Sequence, residues 1–171
     1  MEKEEIKADR LTKALLFIYF SVLGWIILLK FGVQFSYMDE RKINLIPFAN
    51  GYYDRMETFL NVLIFIPLGI YGGILFRRRS FKFNLFFYVL ICLILEVLQY
   101  LLKLGTFDVT DLLTNTSGGI VGYVLFWTYG KLNMNPLKAQ KQINVVAAIG
   151  TFLFVLLLIL LKLNMLPIRY Q

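Results

Sequence analysis

The chain is built mainly of long apolar runs separated by short polar gaps. About twenty apolar residues in a helix are enough to cross the roughly 30 Å hydrocarbon core of a bilayer. Five such runs are predicted as helices, over about 14–29, 57–76, 83–102, 111–129 and 143–161. They imply an all-α fold, a polytopic membrane helix bundle with about five transmembrane helices in a single membrane domain over residues 1–171. A mean hydropathy of +0.67, with 58% hydrophobic and 17% charged residues, lies far from a soluble average. The first run is flanked by Lys13 and Lys30 and lacks a small-residue cleavage site, so it reads as a retained helix rather than a secretory signal.

The net charge of +7 does not imply nucleic acid as a partner, because Lys and Arg sit at the ends of the apolar runs and form no stripe among stacking aromatics. Counted by side, eleven of the eighteen fall with the N-terminus, the 77–82 loop and the 131–141 loop. That bias predicts a cytoplasmic N-terminus, with residues 1–13 as a short lead-in, and a C-terminus outside. Arg77, Arg78, Arg79 and Lys82 are read as topology signals in contact with anionic lipid. The loop 31–56, with Pro47, Gly51, Tyr52 and Tyr53, is expected at the outer interface. With no histidine and Cys92 as the lone cysteine, an intrachain disulfide, a Cys/His zinc site and His-based catalysis are excluded.

The acids and amides within the apolar runs are the exceptions that need a reason, since a charge at the centre of a membrane helix costs roughly 2.5–3.5 kcal/mol on insertion scales. Cys92, Glu96, Gln99 and Lys103 are spaced to share one face of the third helix. This is either a polar stripe lining a cavity or a packing contact, and Cys92 is read as a small packing residue. Asp108 and Asp111 suit a paired carboxylate or a hard-cation site, but Asp108 or Thr110 equally suits the cap of the fourth helix. A divalent metal at Asp108 and Asp111 is the one cofactor these residues would take. Asn61 and Asn115 each place an amide about a turn inside a helix. Gly69, Gly72 and Gly73 in the second helix, and Gly118, Gly119 and Gly122 in the fourth, are read as close-packing faces, which could also join copies in a homo-oligomer. On the predicted topology the polar residues converge at the outer face, as a shallow outward-facing pocket.

The order of motifs carries a resemblance. Asn44-Leu45-Ile46-Pro47-Phe48, then Asn61 to Pro67-Leu68-Gly69, then Glu96-x-x-Gln99, Phe107-Asp108-x-x-Asp111-Leu112 and Asn115-Thr116-x-Gly118-Gly119 together resemble the VanZ-like family of bacterial membrane proteins, over a core of about 43–129 with flanking helices at about 14–30 and 143–162. The family takes its name from a protein associated with resistance to the glycopeptide teicoplanin. The resemblance implies a multi-pass protein of the bacterial cytoplasmic membrane acting at the cell envelope. It implies Asn44, Asn61, Glu96, Gln99, Asp108, Asp111 and Asn115 as ligand-binding positions, with Pro47 and Pro67 as further motif positions. Many members carry Gly-Arg before the acidic motif. Here Gly105 is followed by Thr106, which leaves Lys103, Arg41, Lys42 or Arg55 to supply that charge.

Two functions follow. The first is lowered susceptibility to glycopeptides through a pocket that engages a lipid-linked cell-wall precursor or the glycopeptide itself. The alternative is an intramembrane enzyme acting on a lipid or isoprenoid-linked head group, with Glu96, Asp108 and Asp111 as catalytic candidates in acid/base or metal chemistry. Beyond these, the bilayer itself is the expected partner.

Overall fold

A computed structural model describes residues 2–29, 40–49, 54–133 and 135–162. Within them the order is α1 (Glu2–Leu29), β1 (Ile43–Asn44), α2 (Arg55–Leu75), α3 (Phe81–Leu101), β2 (Phe107–Asp108), α4 (Val109–Asn133) and α5 (Pro136–Lys162). All five expected runs are helical. Among the described residues α1, α2 and α3 are long and apolar enough to cross a membrane by length and composition. Of the expected outer loop, residues 31–39 and 50–53, including Gly51, Tyr52 and Tyr53, lie outside the described residues, as does Lys30.

The helix ends follow local chemistry. Asp54 caps α2 by accepting from the backbone N–H of Met56 and Glu57, at 2.6 and 3.1 Å, and Ser80 caps α3 through the N–H of Phe83. Two helices begin earlier than expected by more than a turn. Residues 2–13 of the predicted lead-in are part of α1, because their Glu, Lys and Ala residues are good helix formers. Helix α5 starts at Pro136 rather than near Ile143. Asn135 accepts from Lys138 N–H at 3.1 Å and proline occupies the first helical position.

These added turns carry a buried polar clasp between α1 and α5. Asn144 Nδ2 donates to the Ala8 carbonyl at 3.0 Å. Gln140 Nε2 donates to Asp9 Oδ1 and to Thr12 Oγ1 at 2.8 and 3.1 Å. The Thr12 hydroxyl in turn lies 3.0 Å from Asn144 Oδ1. Lys141 reaches Glu4 at 2.6 Å just outside this cluster. Thr12, Gln140 and Asn144 are all buried, so removing one partner strands the others. Asn144→Ala is expected to lower stability by about 1–3 kcal/mol, read from thermal unfolding in detergent.

The centre of the bundle is the parallel pair α2 and α4. Their glycines let the backbones touch: a Cβ at Gly69 would sit 1.9 Å from Gly119 O, one at Gly118 2.3 Å from Val62 O, and one at Gly122 2.0 Å from Ile66 O. The glycine faces offered for a homo-oligomer are therefore turned inward and filled by the chain's own helices. Tyr88 of α3 closes the third side. Its ring lies against Gly72 and Gly119, and its hydroxyl donates to Gly69 O at 3.1 Å. Leu23, Phe65, Leu68, Tyr88 and Cys92 form the buried core around this contact. Cys92 is thus a packing residue, as the sequence suggested.

The end of α3 corrects one expectation. The helix stops at Leu101, Lys103 adopts φ 57°, and Lys103 N–H and Leu104 N–H return to the carbonyls of Tyr100 and Gln99. This is a Schellman ending. Lys103 accordingly does not continue the Cys92–Glu96–Gln99 face. Buried Leu104 supplies the apolar contact that holds the turn. A lysine in the left-handed region carries the Cβ penalty that glycine avoids, so Lys103→Gly is expected to raise the unfolding midpoint, by roughly 1 kcal/mol in stability.

Candidate functional site

The turn that follows this ending brings the sequence motifs together. Chain segment 40–49 returns beside 104–110, where β1 and β2 form a parallel pair with Ile43 opposite Phe107 and Asn44 opposite Asp108. Phe107 N–H donates to Lys42 O at 3.1 Å. This register sets the side chains. Asn44 Nδ2 donates to Asp108 Oδ2 at 3.0 Å, while Asn44 Oδ1 accepts from Ile46 N–H. Asp108 Oδ1 accepts from Thr110 N–H at 2.7 Å and so caps α4. Thr110 Oγ1 accepts from Phe48 N–H at 3.0 Å, which holds the Asn-Leu-Ile-Pro-Phe segment down on the start of α4.

Glu96 sits directly under this junction. Its Oε2 accepts from Asp108 N–H at 3.1 Å, and it is 2% exposed. Asn44, Glu96, Asp108 and Thr110 thus form a closed, buried knot joining the loop, α3 and α4. Both oxygens of Asp108 are engaged there, one as the cap of α4 and one as the bridge to Asn44, so of the readings of its sequence position the structure shows the cap.

Asp111 belongs to a different group. Its Oδ1 accepts from Asn61 Nδ2 at 2.8 Å, linking α4 to the first turns of α2. Both residues are half-buried, and the exposed Glu57 lies within electrostatic reach of Asp111. Glu57, Asn61 and Asp111 are therefore an open, acceptor-rich rim beside the knot. Asn115, one turn further along α4, is buried, and its Oδ1 has no hydrogen-bond partner among the described residues.

The remaining positions serve other contacts. Gln99 Nε2 donates to Ile27 O of α1 at 3.4 Å. Arg41 donates to Leu101 O at 3.2 Å and lies over the Tyr100 ring, so it satisfies the end of α3 rather than pairing with Glu96. Pro47 is exposed at the tip of the loop among exposed Leu45, Ile46 and Phe48. Pro67 lines the α1–α2–α5 side, where Tyr19 of α1 donates to Ile64 O at 3.2 Å. Asp108 and Asp111 face different partners, and no three carboxylate, cysteine or histidine side chains converge as a metal site among the described residues.

Sequence reasoning missed Glu57 as a member of the rim, Thr110 as the anchor of Phe48, and the whole α1–α5 clasp. For the clasp a signal existed, since Gln140 and Asn144 are one turn apart at the start of an apolar helix.

The comparisons bear on the same residues. The VanZ/LLP1 family model matches residues 16–133, which take in all members of the knot and the rim. Protein VanZ of Enterococcus faecium is 34% identical over 154 residues, covering 87% of this chain and 91% of that protein. No solved structure matches the chain significantly. With apolar helices long enough to cross a membrane and a family model over most of its length, this chain is a membrane protein that belongs to the VanZ/LLP1 family.

Proposed function

We propose that this protein lowers susceptibility to glycopeptide antibiotics of the teicoplanin type, as a multi-pass protein of the bacterial cytoplasmic membrane whose rim of Glu57, Asn61 and Asp111 faces outward. All five helices cross in this reading, with the Lys/Arg-rich end in the cytoplasm. Family membership supports the class of function, and the placement of Lys and Arg supports the orientation.

The observation that carries the finer reading is the division of the polar residues into a closed knot and an open rim. The knot of Asn44, Glu96, Asp108 and Thr110 is hydrogen-bonded within itself and ties the loop to α3 and α4. The rim presents carboxylates and an amide to the outside. Carboxylates accept hydrogen bonds and attract cations, and they repel anions. Such a rim fits the N–H, hydroxyl and ammonium groups of a glycopeptide better than the bare phosphates of a lipid-linked precursor.

Asp111→Asn keeps the acceptor for Asn61 and removes only the charge; Glu57→Gln does the same at the mouth. Each is expected to weaken engagement about tenfold or more, as for loss of a charged hydrogen bond worth roughly 1.5–3 kcal/mol. Cells producing the double variant at wild-type membrane levels should lose most of their protection against teicoplanin. Undiminished protection at equal levels would rule out the rim as the engaging surface.

A further inference from the structure

A cavity lies at the end of the bundle opposite the rim, where α2, α4 and α5 meet. It has a volume of about 360 Å³, and Arg77, Tyr123, Phe126, Trp127 and Lys131 line it, with Ala139 closing the α5 side. Its chemistry is the reverse of the rim. Two cations enter it and none of its lining residues is an acid. Among the described residues neither Arg77 nor Lys131 has a carboxylate partner; Glu4 at this end is taken by Lys7 and Lys141, and Asp9 by Gln140.

Both cations are held in place. Gln140, 1% exposed and locked into the α1–α5 clasp, accepts from Arg77 Nη1 at 3.3 Å. Lys131 Nζ lies 3.5 Å from the centre of the Trp127 ring, a cation–π contact that fixes the ammonium beside the aromatic wall. The other walls are apolar rings and small residues. A guanidinium and an ammonium over an apolar wall match a group with a phosphate at one end and hydrocarbon at the other. A free anion would use the cations and leave the aromatic wall without a partner.

We propose that this cavity binds the head group of an anionic glycerophospholipid, with Arg77 and Lys131 clamping its phosphate and Tyr123, Phe126 and Trp127 covering the glycerol and upper acyl carbons. Of the three consecutive arginines at 77–79, only Arg77 takes part. The site is independent of the rim at the other end of the bundle.

The test is lipid retention by the full-length protein in detergent, read by native mass spectrometry with phosphatidylglycerol and phosphatidylcholine offered in equal amounts. Phosphatidylglycerol should be retained preferentially, and Arg77→Gln and Lys131→Gln should each lower its retention roughly fivefold, as for about 1 kcal/mol per cation. Arg78→Gln with Lys138→Gln removes twice the charge of either single variant from the same end outside the cavity and should change little. Gly130 also lines the cavity, and a Cβ there meets nothing within 4 Å. Gly130→Leu should therefore fill the space with both cations intact and still expel the lipid. Equal retention of phosphatidylcholine, an equal loss in the Arg78/Lys138 pair, wild-type retention by Gly130→Leu, or full displacement by millimolar inorganic phosphate would each overturn the assignment.

Discussion

Gly69→Ala and Gly122→Ala are each expected to destabilise the protein by about 3 kcal/mol or more, at or beyond the upper end of the usual range for overpacking. The reason is the identity of the atoms in the way. The new methyl group would meet the carbonyl oxygens of Gly119 and Ile66, at 1.9 and 2.0 Å. Flexible side chains can move aside, but a carbonyl inside a helix can do so only if the helix moves. Helices α2 and α4 must then separate, and the carbonyl of Gly69 loses its place against the Tyr88 hydroxyl. Gly130→Ala on the same helix meets nothing within 4 Å. It should leave stability unchanged or raise it by up to about 1 kcal/mol through helix propensity. The contrast is read from thermal unfolding of the three variants in one detergent. Equal melting temperatures would mean that the α2–α4 contact is not the centre of the fold.

Asp108→Ala is expected to be nearly as damaging, for a different reason. The substitution strands Asn44 Nδ2 and Thr110 N–H at once, both buried. Each unsatisfied buried group costs roughly 1–3 kcal/mol, so a loss of about 2–6 kcal/mol is expected. Asp108→Asn should be milder. Its amide oxygen can keep the cap on Thr110 while its NH₂ group meets the NH₂ of Asn44. Asn44 cannot flip to relieve that contact without withdrawing its oxygen from Ile46 N–H. The loop should therefore detach before the helices do, giving Asp108→Asn faster proteolysis near 40–49 at a nearly unchanged melting temperature. Neither Asp108 variant reports cleanly on function, because this end of the bundle would lose its shape together with the charge. Asp111→Asn, which keeps its bond to Asn61, is the variant that separates the two.

Much of this end of the bundle could be read in the sequence. The acids and amides stood out because apolar helices rarely carry them, and their order along the chain marked the family. What local spacing could not provide was the pairing across segments. Asp108 and Asp111, three residues apart, look like one pair in sequence, yet one turns to Asn44 and the other to Asn61. A two-residue parallel bridge between 43–44 and 107–108 decides this, and no periodicity foretells a pairing between segments about sixty residues apart. Lys103 shows the same limit on a smaller scale. Helical spacing carried it onto the Glu96 face, but buried Leu104 held the helix end in a left-handed turn.

By itself the sequence determined the helical class, the membrane character and the short set of polar positions on which a site could be built. These are consequences of composition and of the 3.6-residue period, which act within one helix at a time. The tertiary structure alone decided which of those polar groups are satisfied and which stay open. Glu96 and Asp108 are closed into a buried knot, Glu57, Asn61 and Asp111 form the rim, and Arg77 and Lys131 meet at a cavity of opposite charge. The cost of an unpaired buried group depends on what lies across from it, and that neighbour comes from another helix.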